Sequence, residues 1–435
     1  MNMELKRIRT EAETAVLEAF IDAQETLPGK SETLSDRRQR MALFEQQGLP
    51  HRRVEEWKYT DLRTLMRTIA PLTLSLGEGQ APEVDIPAPL LEDAVQIVIV
   101  DGRLVRADNL PQGVALTPLR DALAEGSVSL SGATTPDRAI DALNAAFVSD
   151  GAALTVEKGA TVETPIEIVS LRSGVEAMSH MRVEVSMGEG ASAKIVERHI
   201  SPDGAATQSS AVTRYAVADD ASLDLMRFQM EGNAATHLGE TVLDLAGKSN
   251  AKLLHIVAGA KLSRSETRVT FNGEESRLDV AGITMVADRQ HADLTLYVDH
   301  LVPFGDSTET FKSVIDDRAR AVFQGKIVVA QDAQKTDAQM STNALLLSEA
   351  ADMIAKPELE IFADDVSCAH GATCGEMDED LLFYLLARGI PHNEARRLLL
   401  QAFLSEGAEL YDGHPFQSLA FDAIDRWLEE HAARG

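Results

Sequence analysis

A strand–turn unit recurs at a nearly constant spacing through the middle of this 435-residue chain. Each copy has an apolar run, a small polar turn, an alanine and a second apolar run; three copies span residues 185–196, 216–226 and 243–254. Their alanines, Ala191, Ala221 and Ala251, are 30 residues apart, and Ala160 and Ser276 extend the series less regularly. Fixed-period repeats of this kind indicate a solenoid, because one coil cannot bury its apolar face until it stacks on the next.

The sequence around the repeats favours strands rather than helices. Short runs between positions 94 and 366 are β-rich and are separated by Gly, Asp, Asn and Ser. Leu294, Leu296 and Val298 alternate with Thr295 and Tyr297, which is the period of a strand with one buried face. A β-sandwich also holds many such strands, but the 30-residue register favours a β-helix-like stack. We predict a mainly β protein with helical ends.

Helical periodicity marks both ends of the chain. We predict an N-terminal helical domain over residues 1–93, a β-helix core over 94–366 with some helix near 119–147, and a Cys/His junction with a C-terminal helical domain over 367–435. Within the first domain, Trp57 lies beside Tyr59 in a stretch of mixed charge. This tryptophan either plugs a local core or belongs to a docking surface, and the sequence leaves both interpretations open.

The charge balance restricts the partners of the chain. With 41 basic and 69 acidic residues its formal net charge is −28, which argues against nucleic acid or an anionic membrane as a partner. No apolar run approaches the ~18 residues that span a bilayer, and the N-terminus lacks the apolar core of a signal peptide. Two cysteines do not make a disulfide framework. We therefore expect a reduced, cytoplasmic protein.

Both cysteines lie in one short segment, residues 367–375, with a histidine between them. Thiolates and imidazoles are ligands that Fe–S clusters, zinc and Cu(I) favour. If the segment is extended, Cys368, His370 and Cys374 share one face, because side chains alternate along a strand. A simpler interpretation is two small buried cysteines and an exposed histidine. A third is a β-helix interaction protein in which zinc, held by all three side chains and one further ligand, staples the C-terminal helices.

Other residues give weaker signals. His291 and His300 lie in polar segments between strands, and either is a candidate for a further ligand near Cys368. The other strand histidines are predicted to be ordinary surface or core residues: His180, His199, His237 and His255.

Known catalytic patterns are missing from the sequence. Residues 246–249 end like a phosphate-binding loop, but position 242 is valine where that loop needs glycine. No HExxH, GxSxG or CxxC motif is present. Aromatic residues make up 5% of the chain, which argues against a β-helix enzyme acting on polysaccharide. We predict that the chain is not an enzyme.

The C-terminal block contains several long motifs: residues 356–366 (KPELEIFADDV), 368–373 (CAHGAT), 382–385 (LFYL) and 388–391 (RGIP). Shorter ones occur at residues 310–313, 323–327 and 343–348. Together these segments resemble the SufB/SufD family of iron–sulfur cluster assembly proteins. Residues 55–60 (EEWKYT) are similar to the SufD branch of that family rather than to the SufB branch. The resemblance covers most of the chain.

The resemblance implies a right-handed parallel β-helix between two helical domains. It implies a scaffold that assembles nascent Fe–S clusters or supplies them with iron, with a SufB-like paralogue bound through the β-helix and a SufC-like ATPase bound through the C-terminal helices. A homodimer is possible in isolation. Cys368 and His370 would bind iron or a transient cluster at the subunit interface, with His370 as the main ligand. Cys374 stands where relatives are expected to have an aliphatic residue, and no firmly bound cofactor is expected for the lone chain.

Overall fold

Two β-sheets and two groups of helices make up the part of the chain that the structure, a computed structural model, describes: residues 9–73, 84–132 and 135–432. The sheets form a β-solenoid, and helices precede and follow it, so the predicted fold class is confirmed. The predicted domain limits remain predictions; the first strand begins at Val95. None of the helices in these ranges has both the length and the apolar character needed to cross a membrane.

Each coil of the solenoid contributes one strand to each of two sheets. The ten-stranded sheet contains β1 (Val95–Val100), β2 (Arg103–Ala107), β5 (Thr161–Leu171), β7 (Ser192–Ile200), β9 (Ser222–Met230), β11 (Asn250–Val257), β13 (Arg277–Val286), β15 (Asp306–Ile315), β17 (Asp337–Leu346) and β19 (Ser367–Gly375). The nine-stranded sheet contains β3 (Val114–Pro118), β4 (Gly151–Val156), β6 (Met178–Met187), β8 (Gln208–Val217), β10 (Thr236–Leu245), β12 (Leu262–Phe271), β14 (His291–His300), β16 (Arg320–Val329) and β18 (Asp352–Ile361). The pairs β1–β2 and β3–β4 are antiparallel, and the other strand pairs are parallel.

The turns between strands explain the repeat in the sequence. Ala191 and Ala221 occupy equivalent turn positions, and their carbonyl oxygens accept equivalent hydrogen bonds from the next coil at 2.8 and 2.9 Å. The next equivalent carbonyl is that of Ser249, which accepts a hydrogen bond from the following coil at 2.9 Å. The predicted equivalence of Ala251 is therefore wrong. It pairs inside the sheet with Leu223, because this coil is two residues shorter than the one before it.

Apolar side chains fill the space between the two sheets. Leu223 and Leu225 of β9 and Leu243 and Leu245 of β10 are at most 1% exposed. Intervening residues of the same strands face outward, toward the helical domains. The interior stabilises the stack by about 25 cal/mol for each Å² of apolar surface removed from water.

The N-terminal helices and a helical insertion form a group that packs on the outer face of the nine-stranded sheet. The elements are α1 (Glu11–Ala23), α2 (Ser31–Gln47), α3 (Leu62–Leu65), α4 (Leu119–Glu125) and α5 (Ala139–Phe147), with 3₁₀ turns at Glu55–Trp57 and Pro136–Arg138. Thr10 begins α1 with a capping box, in which its hydroxyl accepts from the Glu13 N–H and the Glu13 carboxylate accepts from the Thr10 N–H. α5 lies against β6, β8 and β10 and brings Asp141 to the sheet.

The C-terminal helices fold back over the outer face of the ten-stranded sheet. They are α6 (Glu379–Leu386), α7 (His392–Ser405) and α8 (Pro415–Ala432), with a 3₁₀ segment at Glu406–Tyr411. Leu404 and Phe416 belong to an apolar cluster with outward-facing residues of β9, β11 and β13. The Tyr411 hydroxyl shares its proton between the carbonyl oxygens of Leu225 and Lys252, each 3.0 Å away. This domain therefore covers the middle of the solenoid and leaves the last coil uncovered.

Candidate metal site at the open end of the solenoid

The last coil, formed by β18 and β19, has exposed edges. β19 pairs with β17 on one side and, within the described residues, with no strand on the other. Every residue of β19 is exposed except the half-buried Cys368, whereas β17 is buried at alternating positions. A free strand edge presents unpaired N–H and C=O groups, to which a strand of another chain can bind. The predicted site therefore lies at an open end of the molecule.

Residues at the same register position stack into columns along the solenoid, and two inward-facing columns of the ten-stranded sheet end at predicted site residues. The first column is Ala193, Leu223, Ala251, Leu278, Ser307, Ala338 and Cys368; the second column is Ile195, Leu225, Leu253, Val280, Glu309, Met340 and His370. Cys374 lies in register with Ala344. Because Ala338, Met340 and Ala344 are all buried, the face that Cys368, His370 and Cys374 share is the one that continues the interior.

The extended strand separates the three side chains. Cys368 and His370 are about 7 Å apart along the strand, whereas Cys368 and Cys374 are about 20 Å apart. Side chains that far apart cannot reach one zinc ion at bond lengths of about 2.3 Å. Across the described ranges, no group of three or more His, Cys, Asp or Glu side chains is arranged to hold a metal ion. The geometry thus does not support the zinc staple, and it brings together Cys368 and His370 only.

Both cysteines are free thiols whose surroundings favour the protonated form. Partial burial, with the negative charge of Asp337, raises the pKa of Cys368. Partial burial, with the negative charge of Asp352, raises the pKa of Cys374. Both thiols are therefore mainly protonated at neutral pH in the free chain.

The structure does not bring His300 to Cys368. His300 is fully buried on β14, where its ring stacks on Phe271 with 4.2 Å between ring centres and its Nε2 lies 3.1 Å from the Ser307 hydroxyl. Burial lowers the pKa of His300 to about 4. Ala338 lies between Ser307 and Cys368 in the first column, and its short side chain cannot turn aside to open a path between them. The prediction of His300 as a ligand beside Cys368 finds no support in this geometry.

The remaining histidines of the strands also lie away from the open end. His291 is near the N-terminal domain, with its Nε2 2.9 Å from the Thr60 hydroxyl. The four histidines that we predicted to be ordinary are all buried: His180, His199, His237 and His255. His237 belongs to an interior polar network, in which its Nδ1 lies 3.0 Å from the Glu231 carboxylate. These four are core residues of the solenoid, one of the two roles predicted for them.

Trp57 plugs a core within the chain. Its side chain is 0% exposed, and the guanidinium of Arg264 lies 3.8 Å from its ring centre. The neighbouring carbonyl oxygen of Glu56 accepts hydrogen bonds from Arg264 at 2.9 Å and from Gln324 at 3.1 Å. The first of the two interpretations of Trp57 is therefore correct, and the EEWKYT segment fastens the N-terminal helices to the nine-stranded sheet.

Comparisons with known proteins identify the family of this chain. A model described as SUF system FeS cluster assembly, SufBD core domain, matches residues 170–403, and one described as SufBD protein N-terminal region matches residues 10–168. The chain is 32% identical over 372 residues to the iron-sulfur cluster assembly protein SufD of Escherichia coli (strain K12), covering 83% of this chain and 85% of that protein.

Two further relatives share slightly less of their sequence with this chain. An iron-sulfur cluster assembly SufBD family protein of Synechocystis is 29% identical, over 85% of each chain. The protein ABCI7, chloroplastic, of Arabidopsis thaliana is 29% identical, over 85% of this chain and 81% of that protein. The core model alone spans more than half of the sequence, and the resemblance to the SufD branch is confirmed by the match to SufD itself. The chain therefore belongs to the SufB/SufD family of iron–sulfur cluster assembly proteins.

Proposed function

We propose that this chain is a scaffold subunit of a SUF complex, in which it pairs with a SufB-like paralogue and a SufC-like ATPase to assemble Fe–S clusters or supply them with iron. One observation carries the proposal: the Cys368–His370 pair lies on a free edge strand at an open end of the solenoid. Clusters are commonly held by four protein ligands, and two donors fill only half of such a site. A partner that binds this edge and contributes its own donors would complete it.

A site divided between subunits suits a scaffold that must release its product. A chain with four strong thiolates would retain a cluster, whereas ligands divided between two subunits separate when the subunits move. The raised pKa of Cys368 weakens metal binding further, because a proton competes with the metal for the sulfur. In a reducing cytoplasm both thiols remain available.

The helix that follows the site offers a surface for the ATPase. α6 begins four residues after β19 ends, and Asp378 caps it by accepting from the N–H groups of Asp380 and Leu381. Several of its large apolar side chains are exposed, Phe383 by 71% of its surface: Leu381, Phe383, Tyr384 and Leu386. Clustered exposed apolar residues mark protein interaction surfaces. We assign this patch to the ATPase partner, whose movement α6 would pass directly to β19.

The test is anaerobic copurification of the three subunits, with iron, zinc, acid-labile sulfide and the subunit ratio measured. His370→Ala is expected to lower cluster content several-fold and to keep the ATPase at its wild-type ratio, because α6 is unchanged. Phe383→Asp is expected to release the ATPase. Cys374→Ala is the matched control, since it lies on the same strand about 13 Å from His370, and it should leave both readouts unchanged.

Two results would contradict this assignment. If the His370→Ala complex lost its ATPase, His370 would have a structural role and the site would not be a metal site. If the lone chain purified with one zinc per molecule, a resident zinc site would replace the shared iron site.

A further inference from the structure

The interior changes from apolar to partly polar two coils before the open end. The second column is aliphatic through Val280 of β13, and its next member is Glu309 of β15. The first column changes at the same strand, from Leu278 to Ser307. Strand β15 thus introduces polar groups into the interior two strands below Cys368 and His370, the residues that end these two columns.

Glu309 is buried and has no basic partner. Its exposed fraction is 0%, no Lys, Arg or His of the described residues forms an ion pair with it, and its hydrogen-bonding neighbour is the Ser307 hydroxyl two residues earlier. Two other buried carboxylates of this protein are held by arginine: Glu197 lies 2.9 Å from Arg227, and Asp293 lies 2.6 Å from Arg264. A buried carboxyl group without such a partner destabilises the fold, so its presence calls for a functional explanation.

The shape of the interior does not require a carboxyl group at this position. The same column holds leucine in β9 and β11, and a leucine in β15 would continue it. Burial raises the pKa of Glu309 to about 8; a hydrogen bond with the Ser307 hydroxyl acts against this rise, and the negative charges of Asp279 and Asp306 add to it. In the free chain at neutral pH the side chain is therefore mainly an uncharged acid, which would ionise when a cation arrives.

Met340 is the one layer between Glu309 and His370 in the second column. Its side chain crosses the interior toward Gly325, where an added Cβ would lie 2.4 Å from the Met340 sulfur. An unbranched methionine changes rotamer easily, and its sulfur is itself a soft donor. Beside it, the Thr342 hydroxyl is also buried and has no hydrogen-bond partner in the described ranges. The adaptable Met340 side chain thus lies between the open end and the buried carboxyl group of Glu309.

We propose that Glu309 is an inner ligand of the iron taken up at Cys368 and His370, which it binds as a divalent cation inside the last two coils. The inference rests on the proposed function and adds a hard oxygen donor to that site. β15 and β19 are about 10 Å apart, and in the free chain these donors are not arranged as a metal site. One ion bridges Glu309 and His370 only when the Met340 side chain leaves the space between them. Carboxylate and imidazole are donors that suit Fe(II). On binding, the carboxyl group releases its proton to solvent and a carboxylate oxygen bonds to the metal, with no electron transferred.

The test uses the complex purified with its SufB-like and SufC-like subunits, stripped of metal and titrated anaerobically with Co²⁺ alone. The visible absorption of Co²⁺ reports its ligands as well as its affinity. Glu309→Gln keeps the size of the side chain and is expected to raise the Kd for Co²⁺ about tenfold or more and to change the spectrum. Glu349→Gln, which removes an exposed carboxylate from a neighbouring turn, is the matched control and should leave both unchanged.

The outcomes separate this inference from the proposed function. If Glu309→Gln binds Co²⁺ with wild-type affinity and spectrum while His370→Ala loses the ion, the inner ligand is disproved and the site at the open end stands. If neither His370→Ala nor Cys368→Ser weakens Co²⁺ binding, the proposed metal site itself is disproved.

A second variant tests whether Glu309 is retained at the expense of stability. Glu309→Leu continues the aliphatic column and is expected to raise the melting temperature, with a larger rise at pH 8 than at pH 4. The folded-state pKa of Glu309 lies above its ordinary value of 4.5, so between pH 4.5 and about 8 the unfolded chain gives up this proton more readily than the folded chain. Glu309 therefore lowers the free energy of unfolding by an amount that grows as the pH rises through this range. A lower melting temperature in Glu309→Leu would show that the carboxyl group supports the fold and would overturn the inference.

Discussion

The two helical domains cover opposite faces of the solenoid with opposite chemistry. On the nine-stranded sheet, the buried carboxylate of Asp141 on α5 faces Arg182 and Arg214, whose nitrogens lie 2.8 and 2.9 Å away. Arg40 and Arg138 complete its surroundings at 3.7 and 3.9 Å. On the ten-stranded sheet, the C-terminal helices pack chiefly through apolar residues, and the polar pairs there, Lys312 with Glu406 and His431 with Asp316, are only partly buried.

The difference concerns how each interface responds to movement. A buried ion pair holds its partners at one geometry, because a charge that loses its partner in the interior destabilises the protein strongly. Apolar packing is less directional, and packed helices can slide by small amounts. The N-terminal domain is therefore fixed to the solenoid, whereas the C-terminal domain, which carries the proposed ATPase surface, rests on the face that tolerates a shift.

The largest effect is expected at Asp141. Asp141→Asn keeps the shape of the side chain but leaves four arginines around a neutral group, and removal of one partner from a buried ion pair costs about 3–5 kcal/mol. Urea unfolding should show a loss of that size in the free energy of unfolding. A loss below about 1 kcal/mol would mean that the charged interface is no more demanding than the apolar one.

A smaller effect is expected from acid. Burial alone would raise the pKa of Asp141, but Arg182, Arg214 and Arg138 outweigh it and hold the pKa well below its ordinary value of 3.8. This carboxylate therefore stabilises the fold above that value, and the contribution is lost as the pH falls below about 4. Urea unfolding from pH 6 to pH 3 should show a steeper decline for the wild type than for Asp141→Asn. Parallel declines would contradict the assignment.

The smallest effect is expected on the apolar face. Tyr411→Phe removes the hydroxyl that donates to the Leu225 and Lys252 carbonyl oxygens and should lower the free energy of unfolding by about 1 kcal/mol. The same urea assay measures it. A loss as large as that of Asp141→Asn would show that the C-terminal interface also depends on one polar contact, and the contrast between the two faces would disappear.

The sequence predicted the solenoid because strand alternation and turn spacing are local properties. Ala191 and Ala221 marked equivalent positions correctly, and the error at Ala251 arose because a coil two residues shorter moves every later position. The extended segment with Cys368 and His370 on one face was also predictable from its alternation.

The buried charges were not predictable in the same way. Asp141 and Arg182 are buried only because two separate elements meet, and no pattern within either element shows that meeting. The inward orientation of Glu309 was predictable from the sequence, because it lies two residues from the inward-facing Phe311 on the same strand. What the sequence lacked was the position of that inward face relative to the open end.

The free edge of β19 also bears on how much of this subunit a cell can keep in solution. An unpaired edge strand binds any strand of suitable register, including that of a second copy, so unassembled subunits are prone to stack end to end. The net charge of −28 opposes such stacking by mutual repulsion, which weakens as ionic strength rises. Under the proposed function, the solubility of the chain would depend on the supply of the partner that covers this edge, and balanced synthesis of the two subunits would help to keep both in solution.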